Sequence, residues 1–213
     1  MQTKDRKFRA WVVQSAVMSG TLAVVPTTQL TGVNPSFTDG LPLTAAAAEF
    51  AVERHAGQLR DADRAPFVQH PLEVASLLSV AGYRDHVVAS GVLHDVLEST
   101  DTDVIELKSR FGPRVSALVR AVSEDPSIEE PQARKSALRA QVARSSIEAV
   151  AIFAADKVSR AGELRLRLRA GPRSDEVNGK LDHYRASLSM VERRLGRRHM
   201  LVERLRTELE RFG

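Results

Sequence analysis

Gly91-Val92-Leu93-His94-Asp95-Val96-Leu97-Glu98 sets an imidazole and a carboxylate side by side inside an otherwise apolar run. From Val87 to Leu97 the composition is that of a buried helix, where both polar side chains are costly to bury unless something pairs with them. A metal ion is one such partner. Neighbours on a helix project about 100° apart, so His94 and Asp95 can both reach an ion in the notch between them. Two ligands do not complete a site, and the chain offers two more candidates. His70 is held between an aromatic and a proline in Phe67-Val68-Gln69-His70-Pro71, and Asp156 ends the apolar run Val150-Ala151-Ile152-Phe153-Ala154-Ala155. A lone His-Asp pair is weak evidence, but a second carboxylate out of place in a second apolar run turns the balance toward a metal site.

The composition around this core sets limits. A chain of 213 residues suits one domain with an ample core and an added arm. Cysteine is absent, which excludes disulfides and thiolate metal sites, so any ion must be held by His nitrogen and carboxylate oxygen. Lys+Arg 31 against Asp+Glu 27 gives a formal net charge of +4. Most of the positive charge is arginine, which suits bidentate grip on phosphate. Acids are interleaved with the bases, so most charges belong to solvated helix faces and no nucleic-acid partner is expected.

Residues 1–43 form an N-terminal extension, basic from Lys4 to Arg9, moderately apolar to Val25, then rich in Pro, Gly, Thr and Asn. The order imitates a secretory signal, but Gln14, Ser15 and Ser19 dilute the apolar run and no clean cleavage site follows. A packing arm, or an over-long start with Met18 as the initiator, is expected; secretion is the alternative to a cytoplasmic protein. No stable membrane span is expected. Thr44 reads as the N-cap of a helix running to about Leu59, with His55 near its end. Pro71 opens a second helix that Gly82 ends. Asp85 caps the central helix, whose exposed His86 is read as inert. A short amphipathic helix over 100–111 precedes another begun by Pro113, with Val115, Leu118, Val119 and Val122 as its core stripe. Arg134-Lys135 is equally a surface pair or a phosphate-facing one. Ser145-Ser146 caps the helix bearing Asp156, which continues through Arg165, Arg167 and Arg169 to Gly171-Pro172. The rest is helical with a break at Gly196. No strand-like alternation occurs, so the fold class is all-α.

The motifs also carry a resemblance. His55-Ala56-Gly57-Gln58-Leu59-Arg60 and Pro66-Phe67-Val68-Gln69-His70-Pro71-Leu72 resemble H-x-G-Q-x-R…P-Y-x-x-H-P-L of the HD superfamily of metal-dependent phosphohydrolases, in its RelA/SpoT-type and small alarmone hydrolase branch. Leu93 to Thr100 resembles L-H-D-x-x-E-D-T; Arg110-Phe111-Gly112, Val122-Ser123-Glu124-Asp125 and Ala155-Asp156-Lys157-Val158 resemble R-F-G, V-T/S-x-D and A-D-K-L. Lys180 and Tyr184 sit in a stretch similar to K-x-x-x-Y/H-Y-x-x-S-L. The likeness spans residues 44–195 with the motifs in order, and implies a compact multi-helix HD bundle over them, with 196–213 a C-terminal helix packed on it.

The resemblance implies an ion on His70, His94, Asp95 and Asp156, with His55 in a supporting role. A mixed N/O shell with open positions favours Mn²⁺ over tetrahedral zinc, although another divalent ion fits. Such an ion acidifies water and polarises phosphoryl oxygen. Glu98, one turn beyond Asp95, would orient or deprotonate the water. The family has a Glu-Asp pair there, and Ser99 cannot replace the second carboxylate as a base. Arg60 and Lys157, then Arg134, Lys135, Lys180 and Tyr184, are the expected substrate contacts. Asp61, Phe67 and Arg160 stand where the family has a basic residue, Tyr and Asn. The implied activity is removal of the 3′-pyrophosphate of ppGpp, the alarmone of the stringent response, to leave GDP. With no synthetase segment in this chain, hydrolysis alone is expected. The alternatives are an HD hydrolase for another nucleotide or dinucleotide phosphate, and a catalytically weak nucleotide-binding or interaction module.

Overall fold

Each apolar stripe needs a partner face, and in this chain two nearly all-apolar stretches, on separate helices, take the centre while amphipathic faces surround them. A computed structural model describes residues 36–169 and 174–212; the extension up to residue 35 and the Gly171-Pro172 break lie outside the described residues. After a 3₁₀ turn at Ser36–Thr38 come α1 (Pro42–Arg54), α2 (Gln69–Val80), α3 (Asp85–Val92) and α4 (Val96–Ser99). They are followed by α5 (Val104–Val122), α6 (Pro131–Arg144), α7 (Ile147–Arg169), α8 (Asp175–Leu195) and α9 (Met200–Glu210). Among the described residues the extended structure is one isolated bridge, Leu59 to Pro66, so the fold is all-α as the missing alternation implies.

The core lies between α3 and α7. Residues 149–155 of α7 are essentially fully buried, and the helix packs on α2, α5, α8 and α9. The α3 helix packs on α1, α2, α5 and α7. Gly91 permits the close approach of α3 to α2: a Cβ there would lie 2.5 Å from Leu78 Cδ1 and 3.5 Å from Ala75 Cα. That approach sets His94, just past α3, opposite His70 near the start of α2.

Three local expectations need correction. The first helix starts at Pro42, a residue suited to a first turn, and stops at Arg54 rather than Leu59. Thr44 does not cap its own helix, and Asp85 does not cap α3 through its side chain. Instead the Asp85 carboxylate accepts from Leu43 N at 2.9 Å, Thr44 N at 2.8 Å and Thr44 Oγ at 2.6 Å, satisfying first-turn N–H groups of α1 from across the helix junction. Likewise the central helix does not carry His94-Asp95 but ends at Val92, leaving both residues in a turn before α4. His94 Nδ1 lies 2.9 Å from the Gly91 carbonyl, the acceptor a continuing helix would offer to the Asp95 N–H. The expected break near Phe111-Pro113 is present as a kink inside α5 at Gly112, whose φ of 82° favours glycine.

Candidate metal centre

Four side chains from three parts of the chain converge beneath a cavity of about 310 Å³. His70 Nε2 and His94 Nε2 are 3.3 Å apart. Asp156 Oδ1 lies 3.2 Å from the first and 3.7 Å from the second. Asp95 reaches in with Oδ1 at 3.2 Å from His94 Nε2 and Oδ2 at 3.5 Å from His70 Nε2. The donor atoms of His70, His94 and Asp156 all lie within 4.8 Å of one another, and all four residues are buried.

Hydrogen bonding fixes which face each imidazole turns inward. A carbonyl only accepts, so His94 Nδ1 carries the proton given to Gly91 O, and in the neutral ring its Nε2 presents a lone pair. Ser159 Oγ donates to Glu73 Oε2 at 2.8 Å, so it accepts from His70 Nδ1 at 2.9 Å and leaves His70 Nε2 bare as well. Two lone pairs 3.3 Å apart, ringed by carboxylates, call for a cation between them. Asp156 Oδ1 adds a buried oxygen with no hydrogen-bond partner, so the donor set fits a divalent ion of mixed N/O preference.

The charges agree with that need. Burial alone would depress the His94 pKa, but Asp95 and Asp156 outweigh it and raise it to about 9, so a positive charge is favoured at Nε2 and an ion bound there would take the place of a proton. Asp156 is well below the usual carboxylate range: burial works against the charge, and Lys157, His70 and His94 overcome it. Glu98 at the cavity rim moves the other way, pushed up to about 7 by desolvation and the nearby Asp95, although the residue as a whole is exposed. Its Oε1 accepts from Glu124 N at 2.8 Å.

The other expected residues divide. Lys157 is buried in the lining, its Nζ 2.6 Å from Asp156 Oδ2 and over the Phe153 ring. Lys135, Lys180 and Tyr184 line the same cavity. Arg60 lines it too, but its guanidinium pairs with Asp63 and approaches Glu163 at 3.7 Å. Arg134 is turned elsewhere, to Glu124 Oε2 at 2.6 Å and Ile128 O at 2.9 Å. Ser99 Oγ donates to the Asp95 carbonyl at 2.7 Å, holding the turn below Glu98. Gln58 accepts from His55 Nδ1 at 2.9 Å and donates to Ser99 O at 2.7 Å, which keeps His55 among the supports of that turn. His86 is half-buried against Glu148 at 3.1 Å rather than exposed.

Three participants lie outside the expected ligands and contacts, and of these only Arg160 has a signal in the sequence, as a departure from the motif. Glu163, one helical turn past Ser159, brings a buried, unpartnered Oε1 to 3.4 Å from His70 Nδ1. His183 is pushed down to about 3 by burial and by Lys157, Arg139 and Lys135, so it is a neutral donor or acceptor in a basic lobe of the cavity. Arg160 enters the centre itself, with Nη2 2.8 Å from Asp95 Oδ2 and Nε 3.4 Å from Asp156 Oδ1.

Comparisons with known proteins agree with this geometry. The HD domain family model matches residues 47–165, more than half of the chain. The guanosine-3′,5′-bis(diphosphate) 3′-pyrophosphohydrolase MESH1 of Drosophila melanogaster is 35% identical over 126 residues, 58% of this chain and 70% of that protein. The mouse MESH1 is 30% identical over 170 residues, 78% of this chain and 93% of that one. A solved structure of a metazoan ortholog of SpoT that hydrolyzes ppGpp matches with a TM-score of 0.72 and 27% identity, covering 81% of this chain and 96% of the other. With its motifs, its fold and its relatives in agreement, this chain belongs to the HD domain family of metal-dependent hydrolases.

Proposed function

We propose that the protein is a Mn²⁺-dependent ppGpp 3′-pyrophosphohydrolase, working in the cytoplasm, where guanosine nucleotides are found. The observation that carries the reading is the meeting of two imidazole lone pairs and two carboxylates under a cavity walled on one side by lysines. The catalytic unit is assigned to residues 44–195, with α9 of the 196–213 segment packed on α7 and α8.

His70, His94, Asp95 and Asp156 would hold the ion, which when bound supplies Lewis-acid polarisation of a phosphoryl oxygen and acidification of water. Glu98, its carboxyl poised near neutrality, takes the proton of the attacking water. Water adds to the phosphorus attached to the 3′ oxygen, the P–O bond to the ribose breaks, and the proton taken up by Glu98 is returned to that oxygen, which leaves as the 3′ hydroxyl of GDP as pyrophosphate forms. Ser99 holds the turn that aims Glu98 and does not itself move a proton. Lys157, Lys135 and Lys180 receive the phosphates, with Tyr184 as a neutral hydrogen-bond partner and Arg60 an edge contact once freed from Asp63. Arg134, engaged by Glu124, contributes by fixing the loop that carries the Glu98 partner.

The test is incubation of purified protein with Mn²⁺ and a panel of phosphorylated nucleotides, with products separated and identified. GDP and pyrophosphate from ppGpp, abolished by chelator, are expected. A wild type that binds ppGpp yet turns over nothing, with Ser99→Asp also inert, would leave a binding module instead. A second reading, hydrolysis of a different nucleotide phosphate, is favoured by one observation: Asp61 and the self-paired Arg60 alter the cavity edge while leaving the centre intact.

A further inference from the structure

Arg160 is the residue at the centre that the metal chemistry does not use. It stands four residues past Asp156, where the related motif carries a neutral asparagine. Its guanidinium spans the two carboxylates: Nη2 is 2.8 Å from Asp95 Oδ2, Nε is 3.4 Å from Asp156 Oδ1, and Nη1 is 3.7 Å from Glu163 Oε2. The Phe67 ring, 5.6 Å from its Cζ, backs the group. Lys157 holds the other oxygen of Asp156 at 2.6 Å, so two fixed positive charges already face the two acidic ligands.

We propose that Arg160 is a tethered counter-ion of the centre, neutralising Asp95 and Asp156 in the metal-free protein and holding affinity for a divalent ion below what the four ligands alone would give. The inference rests on the reading of His70, His94, Asp95 and Asp156 as metal ligands. An incoming ion must break the Arg160 contact with Asp95, the shorter of the two, and then share the centre with a cation it repels. Even with water-like screening, a double charge roughly 5 Å from a single one costs about tenfold in affinity, and more where the cleft is drier. The side chain is 31% exposed and lines the cavity, so the guanidinium can give way without dismantling the core. The design trades tight loading for a metal-free state in which buried Asp95 has a cationic partner in Arg160, as Asp156 has in Lys157.

The test uses metal-stripped full-length protein titrated with MnCl₂ by calorimetry, alongside thermal unfolding with and without Mn²⁺; neither readout depends on turnover. Arg160→Asn is expected to bind Mn²⁺ at least about tenfold more tightly than wild type, to melt lower without metal, and to gain more from saturating metal. Arg160→Lys, which keeps the charge on a shorter reach, should fall between them. Arg160→Gln carries the same expectation should the asparagine variant not fold. Wild type that binds Mn²⁺ while the neutral variants bind equally or more weakly would overturn the inference and leave the metal reading standing. Failure of wild type and variants alike to bind Mn²⁺, Zn²⁺ or Co²⁺ would remove both.

Discussion

Ser159→Ala tests whether the site depends on how His70 is held as much as on which residues are present. Ser159 Oγ joins the His70 Nδ1–H to Glu73 across 2.9 and 2.8 Å, and His70 is fully buried, so no bulk water replaces the hydroxyl. Losing one partner of a buried N–H costs about 1–3 kcal/mol. The fold, however, holds a reserve acceptor: Glu163 Oε1, buried and without a hydrogen bond though 3.7 Å from Arg60 Nη1, is 3.4 Å from the same nitrogen. The expected loss for Ser159→Ala is therefore at the low end, about 1 kcal/mol, or roughly 2–4 °C in melting temperature. Loosening of the ring should weaken Mn²⁺ binding about tenfold, the lower edge of the range for outer supports of metal ligands. With Glu163→Ala added, the reserve is gone, and the double variant should lose at least about 1 kcal/mol more than the two singles together. Thermal melts and Mn²⁺ calorimetry on the four proteins complete the cycle. Strict additivity, or a Ser159→Ala protein matching wild type in both measurements, would refute the idea that His70 orientation is shared between these two acceptors.

Three further substitutions have expected outcomes. Glu98→Gln should keep Mn²⁺ binding while lowering kcat by roughly 10² to 10⁴, and should erase an acidic limb of the pH–rate profile near 7; a limb that survives would assign the base elsewhere. The same group links to stability: its folded pKa of about 7 exceeds the ordinary 4.5, so the native state holds the extra proton, and its contribution is fully present below 4.5 and lost as pH rises through about 7. Glu98→Gln should flatten that part of the stability curve in urea melts from pH 4 to 8. Gly91→Ala, pressed against Leu78 Cδ1, should cost about 1–3 kcal/mol, and an unchanged urea midpoint would show that α2 and α3 can separate freely. Lys157→Ala should raise KM for the nucleotide, because the cavity loses a cation from its lining; an unchanged KM would make the lysine a structural filler.

What could be read along the chain was anomaly. His94, Asp95 and Asp156 are conspicuous because the residues around them are apolar, and period and punctuation alone locate the helices near Pro71, Pro113 and Ser146. What could not be read was pairing across distance. Asp85 looks like the cap of the helix it begins, yet its oxygens serve Leu43 and Thr44, over forty residues earlier, because the two helix starts meet. The central run looks like one helix, yet a side-chain bond from His94 to Gly91 ends it. Arg134 and Arg60 have the composition of phosphate ligands, but Glu124 and Asp63 reach them first. Arg160 registers in the sequence only as a departure from a motif; its meaning comes from the two carboxylates it spans.

The α7 helix divides its labour by length. Its first half, Ala149 to Ala155, is anchored apolar interior, while along its second half Asp156, Arg160, Glu163 and Arg167 recur at intervals of three or four on the face toward the centre and cavity. A descendant of this chain could therefore exchange residues at 160, 163 and 167 as a set, leaving the anchor untouched, and acquire a new preference for ion or phosphate pattern through neighbouring codons. The stretch that keeps the protein folded and the stretch that decides what it accepts are consecutive on one rod, so drift in the second is buffered by the first.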